Sequence, residues 1–231
     1  MNNWLLWQDK THSPYMNMAL DEVLMLNAAA WQKPVLRLYE WDRNSVSFGY
    51  IQKIDRVPRE GVEVVRRPTG GGIVYHQHHF TYTVVFPPDH WLVKDCQPIE
   101  SYHWVNKAVK AGLEELQMSS ELAKDEIAKS VDRAGMVCFT TPTRYDLLAG
   151  DTKIAGSAQR RTKDGMLHQG SIELEGMEQL SAETLRRVLP IGFKKVFDIE
   201  FDSFETPQAF LEQAKQVAED KYASKKWNEK R

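Results

Sequence analysis

Residues 66–76 read RRPTGGGIVYH: two arginines lead into three consecutive glycines, and a β-rich run ending in a histidine follows. Glycine loses more conformational freedom on folding than any other residue, so three in a row between strand-like segments need a reason. The spacing is neither GxxxxGKS/T nor GxGxxG, and the glycines do not open a helix. A P-loop and a dinucleotide fingerprint are therefore excluded. What remains is a turn with uncovered backbone N–H groups beside Arg66, Arg67 and Thr69. Amides donate hydrogen bonds and a guanidinium pairs with carboxylate or phosphate, so Gly70, Gly71 and Gly72 suit an anionic or carbonyl-bearing ligand. A plain hairpin turn with surface arginines is the competing reading.

Three other places carry candidate chemistry. In the strand-like run TKIAGSAQ, Lys153, Ala155, Ser157 and Gln159 share one face, and Ile154, Gly156 and Ala158 share the other. Small residues on both faces leave room for a ligand or for a closely packed neighbour. Lys153 could neutralise a carboxylate or phosphate or hold a thiolate, or it could be the charge that guards an edge strand. Cys138, in GMVCFTTPTRYDLL, is a nucleophile candidate or an inert small hydrophobe. His76 and His78 share a strand face and His79 points the other way. No carboxylate or cysteine follows at a familiar ligand spacing, so a pocket-lining role is favoured over a metal site. Ser157 lies in AGSAQ rather than GxSxG, which leaves a hydrolase elbow unsupported.

These residues must be positioned by a chain of 231 residues, 42% hydrophobic and 27% charged, with a net charge of −2. That is the composition of an ordinary globular protein, and its overall field invites neither nucleic acid nor an anionic membrane. The two cysteines, Cys96 and Cys138, are too few for a disulfide framework. No run approaches the roughly 18 apolar residues that span a bilayer, and the first ten residues lack a signal-peptide pattern. A cytoplasmic protein is expected.

Apolar periodicity and capping residues predict a strand at 4–8 and a helix begun by Ser13 and Pro14. Strands are expected at 34–41, 45–52, 62–67 and 73–87, which sets the glycines in the turn of a hairpin-like unit. A helix over 99–117 precedes a polar stretch, 118–135, that reads as a short helix or mobile loop. A three-strand meander follows from 143, with turns at Gly150–Asp151 and Lys163–Asp164–Gly165. A last helix spans about 206–223, and the basic tail SKKWNEKR reads as a frayed, solvated terminus. Strands outnumber helices without alternating regularly with them. The expectation is one α+β catalytic domain over 1–231, with a mixed, largely antiparallel sheet flanked by helices.

Five ordered segments resemble the lipoate–protein ligase and octanoyltransferase family, which is related to biotin–protein ligases. They are NMALDEVL (17–24), LRLYEWDRNSVSFGYIQ (36–52), RRPTGGGIVYH with FTYTVVFP (66–87), CFTTPTRYDLLAGDTKIAGSAQRR (138–161) and LHQGSI (167–172). The resemblance covers roughly residues 4–190. It implies an enzyme that joins a medium-chain acyl group to a lysine of a lipoyl domain, such as glycine-cleavage H protein or a 2-oxoacid dehydrogenase E2 subunit. It implies that Arg66, Arg67, Thr69 and Gly70–Gly72 wrap the acyl end of the ligand, and that His76 lines the pocket. Lys153 would contact the activated acyl group, with Gly156, Ser157, Ala158 and His168 among the substrate-binding residues.

Two reactions occur in the family. Ligases use ATP and Mg2+ to form an acyl-adenylate. Transferases take octanoyl from acyl carrier protein through a cysteine thioester and need no cofactor. Cys138 followed by Phe139, a proline and YDLL resembles the nucleophile position of one transferase subgroup. In that case Lys153 would favour the thiolate of Cys138. Gly72 points the other way, because that subgroup often has arginine at the third glycine position. Gln77 also departs from the aspartate frequently found after the motif histidine. The transferase is the expected reaction, the ATP-dependent ligase is the alternative, and a non-catalytic acyl-binding protein is a second alternative.

Overall fold

Val35 and Leu36 enter two different apolar clusters, because successive side chains of a strand leave by opposite faces. That alternation sets the layering of the molecule. The computed structural model describes residues 2–125, 131–132 and 136–230. The first half comprises β1 (Asn2–His12), α1 (Pro14–Leu26), α2 (Ala28–Trp31), β2 (Val35–Trp41), β3 (Ser45–Phe48), β4 (Glu63–Arg66), β5 (Val74–Tyr75) and β6 (His79–Phe86). Next come α3 (Trp91–Lys94), α4 (Pro98–Glu114), β7 (Glu121–Leu122), β8 (Leu147–Ala149), β9 (Thr152–Thr162) and β10 (Gly165–Glu173). The last elements are α5 (Ala182–Phe197), β11 (Ile199–Ser203), α6 (Gln208–Val217) and α7 (Lys225–Asn228).

Eight strands form the main sheet in the order β11-β1-β2-β6-β10-β9-β8-β7. β11, β1 and β2 run parallel, and every other neighbouring pair is antiparallel, so the sheet is mixed and largely antiparallel. On one face Leu20, Val23 and Leu24 of α1 and Phe210 of α6 pack on Val35, Val85 and Leu167. On the other, Val105 and Val109 of α4 and Leu185, Leu189 and Phe193 of α5 cover Leu36, Leu38 and Val84. Ser13 caps α1 by accepting from the Met16 N–H, with Pro14 at the first helical position, as the sequence predicts. The backbones of helices α4 and α5 approach closely where Gly112 meets Gly192. A Cβ on Gly192 would lie 2.2 Å from the Ala108 carbonyl oxygen and 2.3 Å from the Gly112 nitrogen.

Three local expectations are corrected. Glycines 70–72 do not close a hairpin: β4 runs parallel to β3 on one side and β5 antiparallel on the other, so the glycine segment travels around β3 between them. The run 73–87 is not one strand either. It starts in the small sheet as β5 and enters the main sheet as β6, and residues 76–78 make the change. The tail is docked rather than frayed, because α7 buries Asn228 against β4. Within 118–135, β7 is formed at Glu121–Leu122, and the parts at 126–130 and 133–135 lie outside the described residues. No helix among the described residues is long and apolar enough to cross a membrane.

Candidate active site

Lys153 enters β9 one residue after the turn that leaves β8, and there the β8–β9 pairing slips. Leu147 faces Ala155 while Leu148 faces Lys153, so an extra β9 residue is accommodated in a bulge. The bulge overturns the strict alternation read from the sequence, because the Lys153 side chain folds back over Gly156. A Cβ at Gly156 would fall 2.4 Å from Lys153 Cε and 2.6 Å from Nζ. Lys153 is buried, and its ammonium is 2.7 Å from Asp146 Oδ2 and donates to the Cys138 carbonyl oxygen at 2.8 Å and to Cys138 Sγ at 3.5 Å. Burial works against the lysine's charge, but the neighbouring Cys138 and Asp146 outweigh it and raise the Lys153 pKa above its ordinary value. The group is an ammonium at neutral pH.

Asp146 is held as firmly as the lysine it pairs with. Its Oδ2 also accepts from the Thr143 N–H at 2.7 Å. The preceding residue, Tyr145, has a left-handed backbone at φ 71°, a conformation that costs a residue with a side chain about 1 kcal/mol or more. Two hydrogen bonds hold it there, from Asn106 Nδ2 to the Tyr145 carbonyl at 2.8 Å and from the Tyr145 N–H to the Ala123 carbonyl at 2.8 Å.

The glycine segment faces this group. Gly71 has φ 86°, which only glycine adopts without strain. Among the described residues the N–H groups of Gly70, Gly71 and Gly72 have no hydrogen-bond acceptor. The carbonyls of Gly70 and Gly72 accept from Arg67 Nη2 at 2.9 and 2.7 Å, and that of Gly71 lies against Gly49. Arg67 Nη1 donates to Ser47 Oγ at 2.7 Å, and the Ser47 hydroxyl is also hydrogen-bonded to His76 Nε2 at 2.6 Å. His76 is stacked on Trp41 with ring centroids 3.7 Å apart. Burial, aided by His79 and Arg67, pushes it well below its ordinary value, so it is neutral. Arg67 is 6% exposed, and no carboxylate among the described residues pairs with it. Burial pushes it down to about 10, although Cys138 and Tyr39 act against that.

Gly72 has a local reason to be glycine. Ile73 N–H donates to the Met136 carbonyl and Cys138 N–H donates to the Ile73 carbonyl, both at 2.8 Å. This short parallel bridge presses the cysteine segment onto Gly72, where a Cβ would lie 2.6 Å from Met136 O and 2.9 Å from Cys138 N. The third glycine, which the sequence associates with the ligase, here makes room for the cysteine backbone.

Two cavities meet at this place. A narrow, mainly apolar slot of about 30 Å³ runs past Met18, Tyr39, Trp41, Val74, His76 and Phe139. A wider cleft of about 340 Å³ opens past Ile51, Ile99, Tyr102, Arg144, Asp146 and Lys153. Cys138, Gly71, Ser157 and Ala158 line both. Arg67, His76 and Gly156 line the slot, and Lys153 lines the cleft.

Other expected ligand residues are engaged elsewhere. Thr69 donates to Gln169 Oε1 at 2.7 Å, and Gln169 Nε2 donates to the buried Asp21 at 2.7 Å. Asp21, from the NMALDEVL segment, also accepts from Arg37, Tyr39 and Thr83, so this network ties the turn to α1. Arg66 spends its guanidinium on the carbonyls of Tyr50, Gln52, Trp227 and Asn228. His168 lies under the sheet, accepting from Gln159 Nε2 at 2.8 Å, and burial pushes it down to about 3. Gly70 and Gly72 shape the turn without lining either cavity. Among the described residues no three His, Cys, Asp or Glu side chains converge as metal ligands. His79 pairs with Glu173 instead, at 2.8 Å.

Sequence reasoning missed Asp146, Ser47, Asn106 and Gln169. Asp146 stood in the quoted YDLL, but only the fold brings it to Lys153.

The model of the lipoyl protein ligase A/B catalytic domain matches residues 13–217, and the chain belongs to that family. The octanoyltransferase LipM of Lysinibacillus sphaericus is 30% identical, with 100% of each chain covered. That of Brevibacillus brevis is 33% identical over 88% of this chain and 76% of its own. Among solved structures, a lipoate-protein ligase A bound with ATP superposes with a TM-score of 0.80 at 23% identity, covering 98% of both chains. At that identity the likeness is one of fold.

Proposed function

We propose that the protein transfers an octanoyl group from a carrier-protein thioester to a specific lysine of a lipoyl domain, through a thioester on Cys138. The observation that carries this reading is the approach of the Lys153 ammonium to Cys138 Sγ, 3.5 Å, where an apolar slot meets an open cleft. The family and the octanoyltransferase relatives support the same reaction. The chain acts as one catalytic domain, in the cytoplasm, on donor and acceptor proteins that reach the cleft.

The acyl chain enters the slot, widening it by movement of flexible side chains such as Met18. The Cys138 thiolate attacks the donor carbonyl, and the N–H of Gly71, the turn glycine that lines both cavities, receives the oxyanion. The donor sulfur departs and takes a proton from Lys153, which leaves an acyl thioester on Cys138 and a neutral lysine. The acceptor amine then attacks the same carbonyl and passes its surplus proton to Lys153, and the amide forms as the Cys138 thiolate is released. Asp146 keeps Lys153 in place throughout. Arg67 holds the carbonyls of Gly70 and Gly72 and so fixes the turn on either side of Gly71.

The ligase alternative would use the same turn and Lys153 for an acyl-adenylate, with ATP supplying the activation. Its lysine is already committed to Asp146 and to the cysteine segment. Mixing the protein with an apo lipoyl domain and either octanoyl–carrier protein, or lipoate with ATP and Mg2+, separates the two by intact mass. The transferase reading expects an adduct of about 126 Da from the first mixture without ATP, an octanoyl group (C8H15O) in place of one hydrogen of the lysine amine. Modification only in the second mixture would overturn it, and no modification in either would favour an acyl-binding protein.

A further inference from the structure

The expected ligand arginine, Arg66, is instead the anchor of the C-terminal segment, and through it the segment is connected to the cysteine. Arg66 N–H donates to Asn228 Oδ1 at 2.8 Å, and its guanidinium donates to Asn228 O at 2.8 Å and Trp227 O at 3.1 Å. Trp227 Nε1 returns a hydrogen bond to the Arg66 carbonyl at 2.9 Å. Asn228 Nδ2 closes the knot on its own side by donating to Tyr222 O at 2.7 Å and Ser224 O at 3.1 Å. The Arg66 guanidinium lies over the Phe48 ring, 4.5 Å from its centroid, and Lys230 lies over both Tyr50 and Trp227.

The same guanidinium reaches the loop beyond β3. Its Nη1 donates to Tyr50 O at 2.9 Å and Gln52 O at 2.6 Å. Gln52 is fully buried, accepts from Gly49 N–H at 2.9 Å and donates from Nε2 to Met136 O at 3.2 Å. Met136 O is also the acceptor for Ile73 N–H, the first rung of the bridge that seats Cys138. Gly49 packs against the glycine turn so closely that a Cβ on it would lie 2.1 Å from Gly71 O. A continuous set of hydrogen bonds therefore runs from Asn228 through Arg66 and Gln52 to the backbone beside Cys138.

We propose that Trp227 and Asn228 are positioning residues of the active site: a C-terminal clasp that, through Arg66 and Gln52, sets the cysteine segment against the glycine turn. The proposal rests on the reading of Cys138 as the reacting residue, but its structural core is tested without any substrate. Native-state hydrogen exchange reports the Ile73 and Cys138 amides directly, with the β10 amides as an internal reference for global opening.

In Asn228→Ala the Ile73 and Cys138 amides should exchange roughly 10-fold faster while those of β10 hold their protection. Asn228→Asp keeps the acceptor for Arg66 N–H but loses the two bonds donated to Tyr222 O and Ser224 O, so its exchange should fall between wild type and Asn228→Ala. Gln52→Ala should speed the same two amides, and the double variant should add little beyond either single change, because both interrupt one path. Gln52→Ala also provides the reading should Asn228→Ala fail to fold. In turnover, Asn228→Ala should lower kcat more than it raises the donor KM. Unchanged exchange at Ile73 and Cys138, or acceleration shared equally with β10, would overturn the clasp. If the exchange pattern holds and octanoyl transfer is absent, the clasp stands and the reaction assignment falls.

Discussion

The Lys153 ammonium occupies the space that a side chain at Gly156 would fill, with Cε and Nζ 2.4 and 2.6 Å from the position of the missing Cβ. The glycine of AGSAQ is thus part of the lysine's site. Gly156→Ala should push the ammonium off Cys138 and Asp146 and lower the rate of cysteine acylation by roughly 10²-fold, the usual cost of an ångström-scale misplacement. Stopped-quench measurement of acyl-enzyme formation checks this, and a rate near wild type would show that Lys153 has another resting place.

Asp146 makes a second prediction. Breaking a buried ion pair by removing one partner costs about 3–5 kcal/mol, and here it also removes one of the two groups that raise the Lys153 pKa. In the native protein that raised value means that the lysine's contribution to stability is complete below its unfolded pKa, about 10.5, and is lost as pH climbs through the folded value. Asp146→Asn should therefore be less stable at pH 7, and the alkaline fall in its acylation rate should begin at lower pH. A pH–rate profile superimposable on the wild type's would contradict the assignment.

Much of this site is legible in the sequence, and what is missed has physical causes. Cys138, Lys153 and the glycine turn carry their chemistry in residue type, and the capped start of α1 and the antiparallel meander follow from local rules. Strand alternation fails at Lys153, because the β8–β9 bulge is fixed by pairing register and not by residue type. Helix α5 is absent from the sequence expectations; it carries Pro190 and Gly192, residues of low helix propensity, and Gly192 is what lets α5 lie on α4 at Gly112. Arg66 and Arg67 look equivalent in sequence. Only the fold sends one to the C-terminal segment and the other to the turn carbonyls and Ser47. The docking of Trp227 is equally invisible in a basic tail, since its partner is 161 residues away.

Buried histidines predict acid sensitivity. His168 is pushed by burial down to about 3, from an ordinary value of 6.5. Between those values the unfolded chain takes up a proton that the folded protein refuses. Stability therefore falls as pH drops through that window, by about 1.4 kcal/mol per pH unit from this residue alone. Urea midpoints from pH 7 to 4 should decline more gently in His168→Asn than in the wild type. Equal slopes would mean that His168 takes up its proton in the folded state.

The most direct test is to mix the protein with octanoyl–carrier protein, without ATP or any acceptor, quench in acid and locate the added mass by peptide mapping. An octanoyl group on Cys138 is the expected result. It should be lost in Cys138→Ser, with transfer to the lipoyl domain reduced by roughly 10³-fold or more. It should be discharged when apo lipoyl domain is added to the acylated wild type. Undiminished transfer by Cys138→Ser would contradict the account.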